Sequence, residues 1–244
     1  LGNLLIAATE RMTGGLEQAL DQLEKVLGIK GKIFPVTLEN ANIKAVLNNN
    51  EEIEREEAII NCRYLSKVGI KNLFLTPEVK ANPKAISAIK KADLIIIGPG
   101  KFYTSLIPNL LTDGIVDAIR QSKAKKIFIC NLMTQAGNTD NLKVEDFTAI
   151  LEEYLGKGVI DYVIFNTGKL SAKVIKEVKK VFPGAKLVKY SKNLLKNKKF
   201  IGKNILNPYT RKLNTADTLV KGANQRTMVV HDSDKLAKII LSLL

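Results

Sequence analysis

The residues of this 244-residue chain best suited to chemistry stand at the ends of short apolar runs. Leu94, Ile95, Ile96 and Ile97 lead directly into Gly98-Pro99-Gly100-Lys101-Phe102-Tyr103-Thr104-Ser105. Two glycines around a proline make a tight turn whose backbone can approach a ligand, and the Thr104 and Ser105 hydroxyls can serve a phosphate or cap the next helix. The segment reads either as a phosphate-binding loop or as a plain strand-to-helix turn. A second run, 127–130, opens into Asn131-Leu132-Met133-Thr134-Gln135, and a third ends at Asn166-Thr167-Gly168. Side-chain amides pair donors with acceptors and so suit a nucleobase or a sugar.

Other chemistries lack their residues. The single histidine, His231, stands beside Asp232 without an HExxH or Cys/His metal spacing, and no GxSxG elbow or GxxxxGK[ST] loop occurs. No catalytic residue and no metal ligand set is read from the sequence. His231 also reads simply as a strand-end residue, with Asp232 capping the last helix. Cys62 and Cys130 have no CxxC partner, which excludes a disulfide framework and fits reduced thiols in a cytoplasmic protein. No apolar stretch approaches the roughly 20 residues that span a bilayer.

The elements that must position these residues follow from periodicity. Short apolar, β-branched runs at 31–36, 70–75, 94–97, 127–131, 162–166, 186–188 and 226–230 alternate with segments of helical spacing at 15–27, 83–91, 107–121, 144–155, 171–181 and 232–244. That order predicts an α/β fold: a Rossmann-like, mostly parallel sheet with helices on both faces. In such sheets ligands bind beyond the carboxyl ends of the strands, where all three polar segments fall. The runs at 94–97 and 127–130 lack polar alternates, which predicts strands buried on both faces. Asn48-Asn49-Asn50 between the runs 41–47 and 51–54 predicts a small β-hairpin excursion. Segment 190–220 has weak periodicity and reads as a flap or a short β insertion. The whole chain, 1–244, is expected to form one domain, and the helical reading of 1–12 puts the first strand and glycine-rich loop of such a fold upstream of Leu1.

The net charge of +14 is local. Residues 186–221 hold ten lysines and arginines against the single acid Asp217. Such a stretch could draw RNA electrostatically or could be ordinary solvated lysine usage. Its aromatics are only Tyr190, Phe200 and Tyr209, thin for base stacking, so nucleic acid is not the expected partner.

Several blocks in register carry a family resemblance. Leu1-Gly2-Asn3-Leu4-Leu5-Ile6-Ala7-Ala8, Gly98-Pro99-Gly100, Tyr103-Thr104-Ser105-Leu106-Ile107-Pro108-Asn109-Leu110 and Asn131-Leu132-Met133-Thr134-Gln135 resemble the signature segments of the CofD-like superfamily. Gly31-Lys32-Ile33-Phe34-Pro35-Val36-Thr37, Leu75-Thr76-Pro77, Ala92-Asp93-Leu94 and His231-Asp232 follow in matching order, most closely as in its gluconeogenesis-factor branch. That branch implies a cytoplasmic regulatory protein that binds UDP-sugars such as UDP-N-acetylglucosamine, needs no cofactor for binding, and affects cell shape and cell-wall and carbon metabolism. A homo-oligomer is compatible with it, and a membrane association is not implied. The other branch implies a 2-phospho-L-lactate transferase of deazaflavin-coenzyme synthesis, working with Mg²⁺. The resemblance places Gly98, Gly100, Thr104 and Ser105 against the diphosphate and Asn131, Thr134, Gln135 and Asn166 around nucleoside or sugar. Gly2, Asn3, Pro99 and His231 complete the implied ligand-binding set. The chain departs from the family pattern at Lys101, usually serine, at Ala136, usually proline, and at Val230, often arginine.

Overall fold

A computed structural model describes residues 2–207 and 229–244. The chain opens with helices α1 (Gly2–Thr13) and α2 (Leu16–Leu27), joined at Gly14-Gly15, and Gly28 ends α2 in the left-handed conformation that favours glycine. Glu24 on α2 is buried, and its carboxylate accepts from Lys32 Nζ and from the Ile33 backbone N–H, each at 2.7 Å. These bonds pin the segment after α2 to the helix.

The strand expected at 31–36 does not form. Pro35 has no N–H, Ile33 spends its own on Glu24, and the Val36 carbonyl accepts from the Asn82 N–H at 2.8 Å, so the backbone has little left for a ladder. Ile33 and Phe34 are exposed.

The expected hairpin is present. Strands β1 (Asn42–Leu47) and β2 (Glu52–Glu54) pair antiparallel around the Asn48-Asn49-Asn50 turn. Short helices α3 (Glu56–Asn61) and α4 (Leu65–Val68) then lead into β3 (Ile70–Thr76). β3 is no member of the parallel sheet: it pairs antiparallel with β1, giving a separate three-stranded sheet of order β2-β1-β3.

The second half is the expected α/β framework. Helix α5 (Pro83–Lys91) carries proline in its first turn and is capped by Asn82, whose side chain accepts from the Lys84 N–H. Strand β4 (Leu94–Ile97) follows, then a π-helical turn at Phe102–Leu106 and helices α6 (Ile107–Leu111) and α7 (Ile115–Gln121). The single helix expected over 107–121 is broken where Thr112 turns extended and Gly114 takes a φ of 92°. Then come β5 (Lys125–Ile129), α8 (Val144–Leu155), β6 (Tyr162–Asn166), α9 (Ala172–Val181), a 3₁₀ turn at Lys192–Lys196, β7 (Phe200–Lys203) and α10 (Ser233–Leu241).

Strands β4-β5-β6-β7 lie in that order and are parallel throughout. Because side chains alternate along a strand, the sheet feeds two cores. Phe128, Val163 and Phe165 pack with Phe147, Leu151 and Leu155 of α8, while Ile127 and Ile164 pack with Val178 of α9 and Leu236 and Ile239 of α10. Helices therefore cover both faces. The run 127–130 is buried as expected, but β4 is not: among the described residues its one strand neighbour is β5, and Ile96 is 44% exposed. The run 186–188 contributes isolated bridges, such as Met133 with Leu187, rather than a strand. Within 190–207 the chain supplies β7, a full member of the parallel sheet, while 208–220 and the 226–228 part of another expected strand lie outside the described residues.

Candidate functional site

The carboxyl ends of β4 and β5 are sewn together by Asn131, whose side-chain Nδ2 donates to the Gly100 carbonyl at 2.7 Å. Its Oδ1 is buried and has no hydrogen-bond partner among the described residues. Three residues on, at Thr134, the chain turns away through one bond to a distant segment and one within its own turn. The Thr134 hydroxyl accepts from the Lys186 N–H at 3.1 Å, and the Gln135 N–H donates to Thr139 Oγ1 at 2.8 Å. The turn that follows docks on the segment between α3 and α4. Gly137 has a φ of 84°, and a Cβ there would meet Arg63 Cα at 2.7 Å and the Cys62 carbonyl at 2.8 Å, so glycine is required twice over. Asn138 Nδ2 donates to the Cys62 carbonyl at 3.0 Å, Ser66 N–H to the Gly137 carbonyl at 2.7 Å, and Ser66 Oγ to Asp140 at 2.6 Å.

These loops enclose a cleft of about 510 Å³, large enough for a nucleotide-sized ligand. One wall is polar, formed by Pro99, Gly100 and Lys101 from the β4 loop and by Asn131, Thr134 and Gln135 from the β5 loop. Asn61 and Arg63 close another side, and the end of α9 supplies an apolar face of Val178, Val181 and Phe182. His231 reaches in from the segment before α10. Its Nε2 lies 3.3 Å from the Cys130 carbonyl, which can only accept, so Nε2 carries a proton. Burial is the main influence on its pKa and pushes it below the ordinary histidine value, leaving a neutral ring with Nδ1 as acceptor. The Cys130 thiol beneath is buried and its pKa is pushed up by desolvation, which keeps it protonated and inert.

The lining holds two cations, Arg63 and Lys101, and among the described residues no carboxylate. Lys101 lies 3.5 Å from Glu56 across an exposed ion pair. This set fits an anion. It does not fit a divalent metal: no group of three or more His, Cys, Asp or Glu side chains among the described residues could hold one, and neither Asp93 nor Asp113 lines the cleft.

Of the residues singled out from the sequence, Pro99, Gly100, Asn131, Thr134, Gln135 and His231 meet in this cleft. The others do not line it. Gly98 is exposed just before it, Ser105 is exposed on the π-helical turn, and Thr104 Oγ1 is buried there without a partner among the described residues. Asn166 closes its own turn, its side chain bonding the N–H and carbonyl of Gly168 at 3.0 and 2.9 Å. Gly2 and Asn3 are exposed on α1. Sequence reasoning missed Asn61 and Arg63, because nothing local marks residues that another loop brings to the cleft. It also missed the apolar wall, whose only signal was the run Val181-Phe182-Pro183-Gly184 ending a helix. The exposed lysines of 186–203, including Lys192, Lys196 and Lys198, stand outside the lining, and Arg211, Lys212 and Lys221 lie outside the described residues. No helix among the described residues is long and apolar enough to cross a membrane.

Residues 1–206 match the family model described as 2-phospho-L-lactate transferase CofD. The chain is 37% identical over 98% of its length to a Clostridium acetobutylicum protein and 43% identical over 74% to one from Thermotoga maritima, both named "Putative gluconeogenesis factor". It is 37% identical over 70% of its length to the "Gluconeogenesis factor" of Halalkalibacterium halodurans. It spans about half of each of these relatives, 50%, 56% and 52%. Among solved structures it is similar to a Bacillus halodurans protein described as a member of the UPF0052 family, with a TM-score of 0.82 and 30% identity over 98% of this chain and 71% of that one.

Proposed function

Because the chain belongs to the CofD family, we propose that it acts as a gluconeogenesis factor, a cytoplasmic regulatory protein that binds a UDP-sugar in the cleft between the β4 and β5 loops, Arg63 and the end of α9. One observation carries this reading. Residues from three separated stretches, Gly100, Asn131 to Gln135, and His231, share one lining with two cations and an apolar face. A sugar nucleotide presents matching chemistry: an anionic diphosphate, sugar and ribose hydroxyls that donate and accept, and a planar base. The neutral His231 ring and the Asn131 and Gln135 amides are suited to hydroxyl and imide groups, and Phe182 to the face of a base or ring. Regulation of cell shape and of cell-wall and carbon metabolism would follow from ligand occupancy.

Calorimetric titration of the full-length protein with UDP-N-acetylglucosamine tests the reading. The expected outcome is saturable binding at a 1:1 ratio. The absence of both heat and a thermal shift at millimolar ligand would overturn it.

The description of the matching family model favours a second reading, phospholactyl transfer. Among the described residues the cleft lining supplies no carboxylate for the divalent cation that this chemistry uses, so those residues do not support that step. Product formation from purified donor, deazaflavin acceptor and Mg²⁺ would establish the transferase in its place.

A further inference from the structure

We propose that Arg63, which belongs to the segment between α3 and α4 rather than to the strand-end loops of the parallel sheet, is the residue that anchors the phosphoryl group of the ligand. The inference deepens the reading above and names the group on which its affinity rests.

The backbone around Arg63 is fixed from both sides. Asn138 Nδ2 holds the Cys62 carbonyl at 3.0 Å, and the Gly137 carbonyl holds the Ser66 N–H at 2.7 Å. Asp140 Oδ2 ties the two segments again, accepting from Ser66 Oγ at 2.6 Å and from the Gly137 N–H at 2.8 Å. Gly137 packs so closely that a Cβ would fall 2.7 Å from Arg63 Cα. This much order surrounds a side chain that is itself exposed and, among the described residues, forms no ion pair or hydrogen bond. An arginine whose backbone is held in place, and whose side chain meets no partner among the described residues at the edge of a cleft, retains its planar fork for a bidentate anion.

Two features select a phosphoryl group over a single carboxylate. Lys101, on the same lining, adds a second positive charge that the exposed Glu56, 3.5 Å away and outside the lining, offsets only in part, and no acid among the described lining residues faces Arg63. A cleft of about 510 Å³ also leaves room for a sizeable organic portion beyond the anion. The docking turn couples the two halves of the site, since the loop that presents Asn131, Thr134 and Gln135 is the loop that holds Arg63.

The test compares wild type, Arg63→Gln and Gly137→Ala by calorimetry with two probes, inorganic pyrophosphate and UDP-N-acetylglucosamine, at two salt concentrations. Arg63→Gln is expected to keep the wild-type melting temperature, lose about ten- to a hundred-fold in affinity for both probes, and show a flatter salt dependence. Gly137→Ala keeps the charge but displaces it, and is expected to lose affinity for both probes as well. Addition of guanidinium ion to an Arg63→Ala variant is expected to restore part of the pyrophosphate binding. Unchanged pyrophosphate affinity in Arg63→Gln overturns the inference, as does failure of wild type to bind pyrophosphate. Pyrophosphate binding that depends on Arg63, without binding of UDP-N-acetylglucosamine, upholds the anchor and overturns the UDP-sugar reading alone.

Discussion

The imidazole Nε2 of His231 lies 3.3 Å from the carbonyl of Cys130, joining the end of β5 to the segment that precedes α10 across 101 positions of sequence. This contact holds the ring at the cleft in one tautomer, with its second nitrogen an acceptor. It also buries an ionisable group whose charged form the site disfavours.

A pH dependence follows. Burial lowers the folded-state pKa of His231 below its ordinary value of 6.5, so the unfolded chain binds a proton more readily than the folded one. The contribution is complete above about pH 6.5 and is lost as pH falls through and below that value. Urea unfolding from pH 8 to 5 is expected to show declining stability in wild type and a shallower decline in His231→Phe. Asp232, held low chiefly by the Lys235 backbone N–H, acts in the same direction at a more acidic range, around and below its ordinary 3.8. Equal slopes for both proteins between pH 7 and 5 would exclude His231 as the source.

The docking turn can be tested for stability alone. Gly137→Ala forces a left-handed backbone on alanine and drives its Cβ into the backbone of Cys62 and Arg63. Gly158 has a similar φ of 79° but open space where a Cβ would stand. Gly158→Ala is expected to cost about 1 kcal/mol and Gly137→Ala clearly more, on the order of 3 kcal/mol. Thermal melts of the two variants decide; similar losses would mean the contact with Arg63 yields without cost.

Phe147 should link core and site. Its ring meets Phe102 edge-on with centroids 4.8 Å apart, and Phe102 begins the π-helical turn that follows Gly100 and Lys101. Phe147→Ala is expected to cost about 3–5 kcal/mol. It should also weaken UDP-N-acetylglucosamine binding at temperatures where the variant remains folded, because the turn loses its support. Full affinity in the folded variant would show that the β4 loop is held by other contacts.

Asn131 offers the reverse case, a large effect on binding with a small one on stability. Asn131→Ala removes the bond to the Gly100 carbonyl but also removes a buried oxygen that has no partner among the described residues. The two changes oppose each other, so unfolding free energy should move by less than about 1 kcal/mol. Ligand affinity should fall about ten-fold as the two strand ends separate. Isothermal titration beside a denaturant curve separates the two quantities.

The legible parts of this molecule are those governed by local chemistry. The run 127–130, the helices Pro83–Lys91 and Val144–Leu155 and the cap at Asp232 follow from apolar period and capping chemistry, and each is found where those signals stand. The segment 31–36 shows where such signals stop. Its composition suits a strand, yet Glu24, Asn82 and Pro35 leave it without a ladder. Ile70–Thr76 has the composition of a parallel strand, but pairing is a choice between partners distant in sequence, and β1 takes it.

The sequence by itself determined that polar turns would follow apolar strands and that Gly100, Asn131, Thr134 and Gln135 would stand in them, because strand ends and turns are set by neighbouring residues. Tertiary structure alone decided that Arg63 and Phe182 join them, that Asn166 and Thr104 do not line the cleft, and that His231 faces it as a neutral ring. Those outcomes depend on which loops touch and which groups lose water, and both are settled only when segments far apart in sequence pack together.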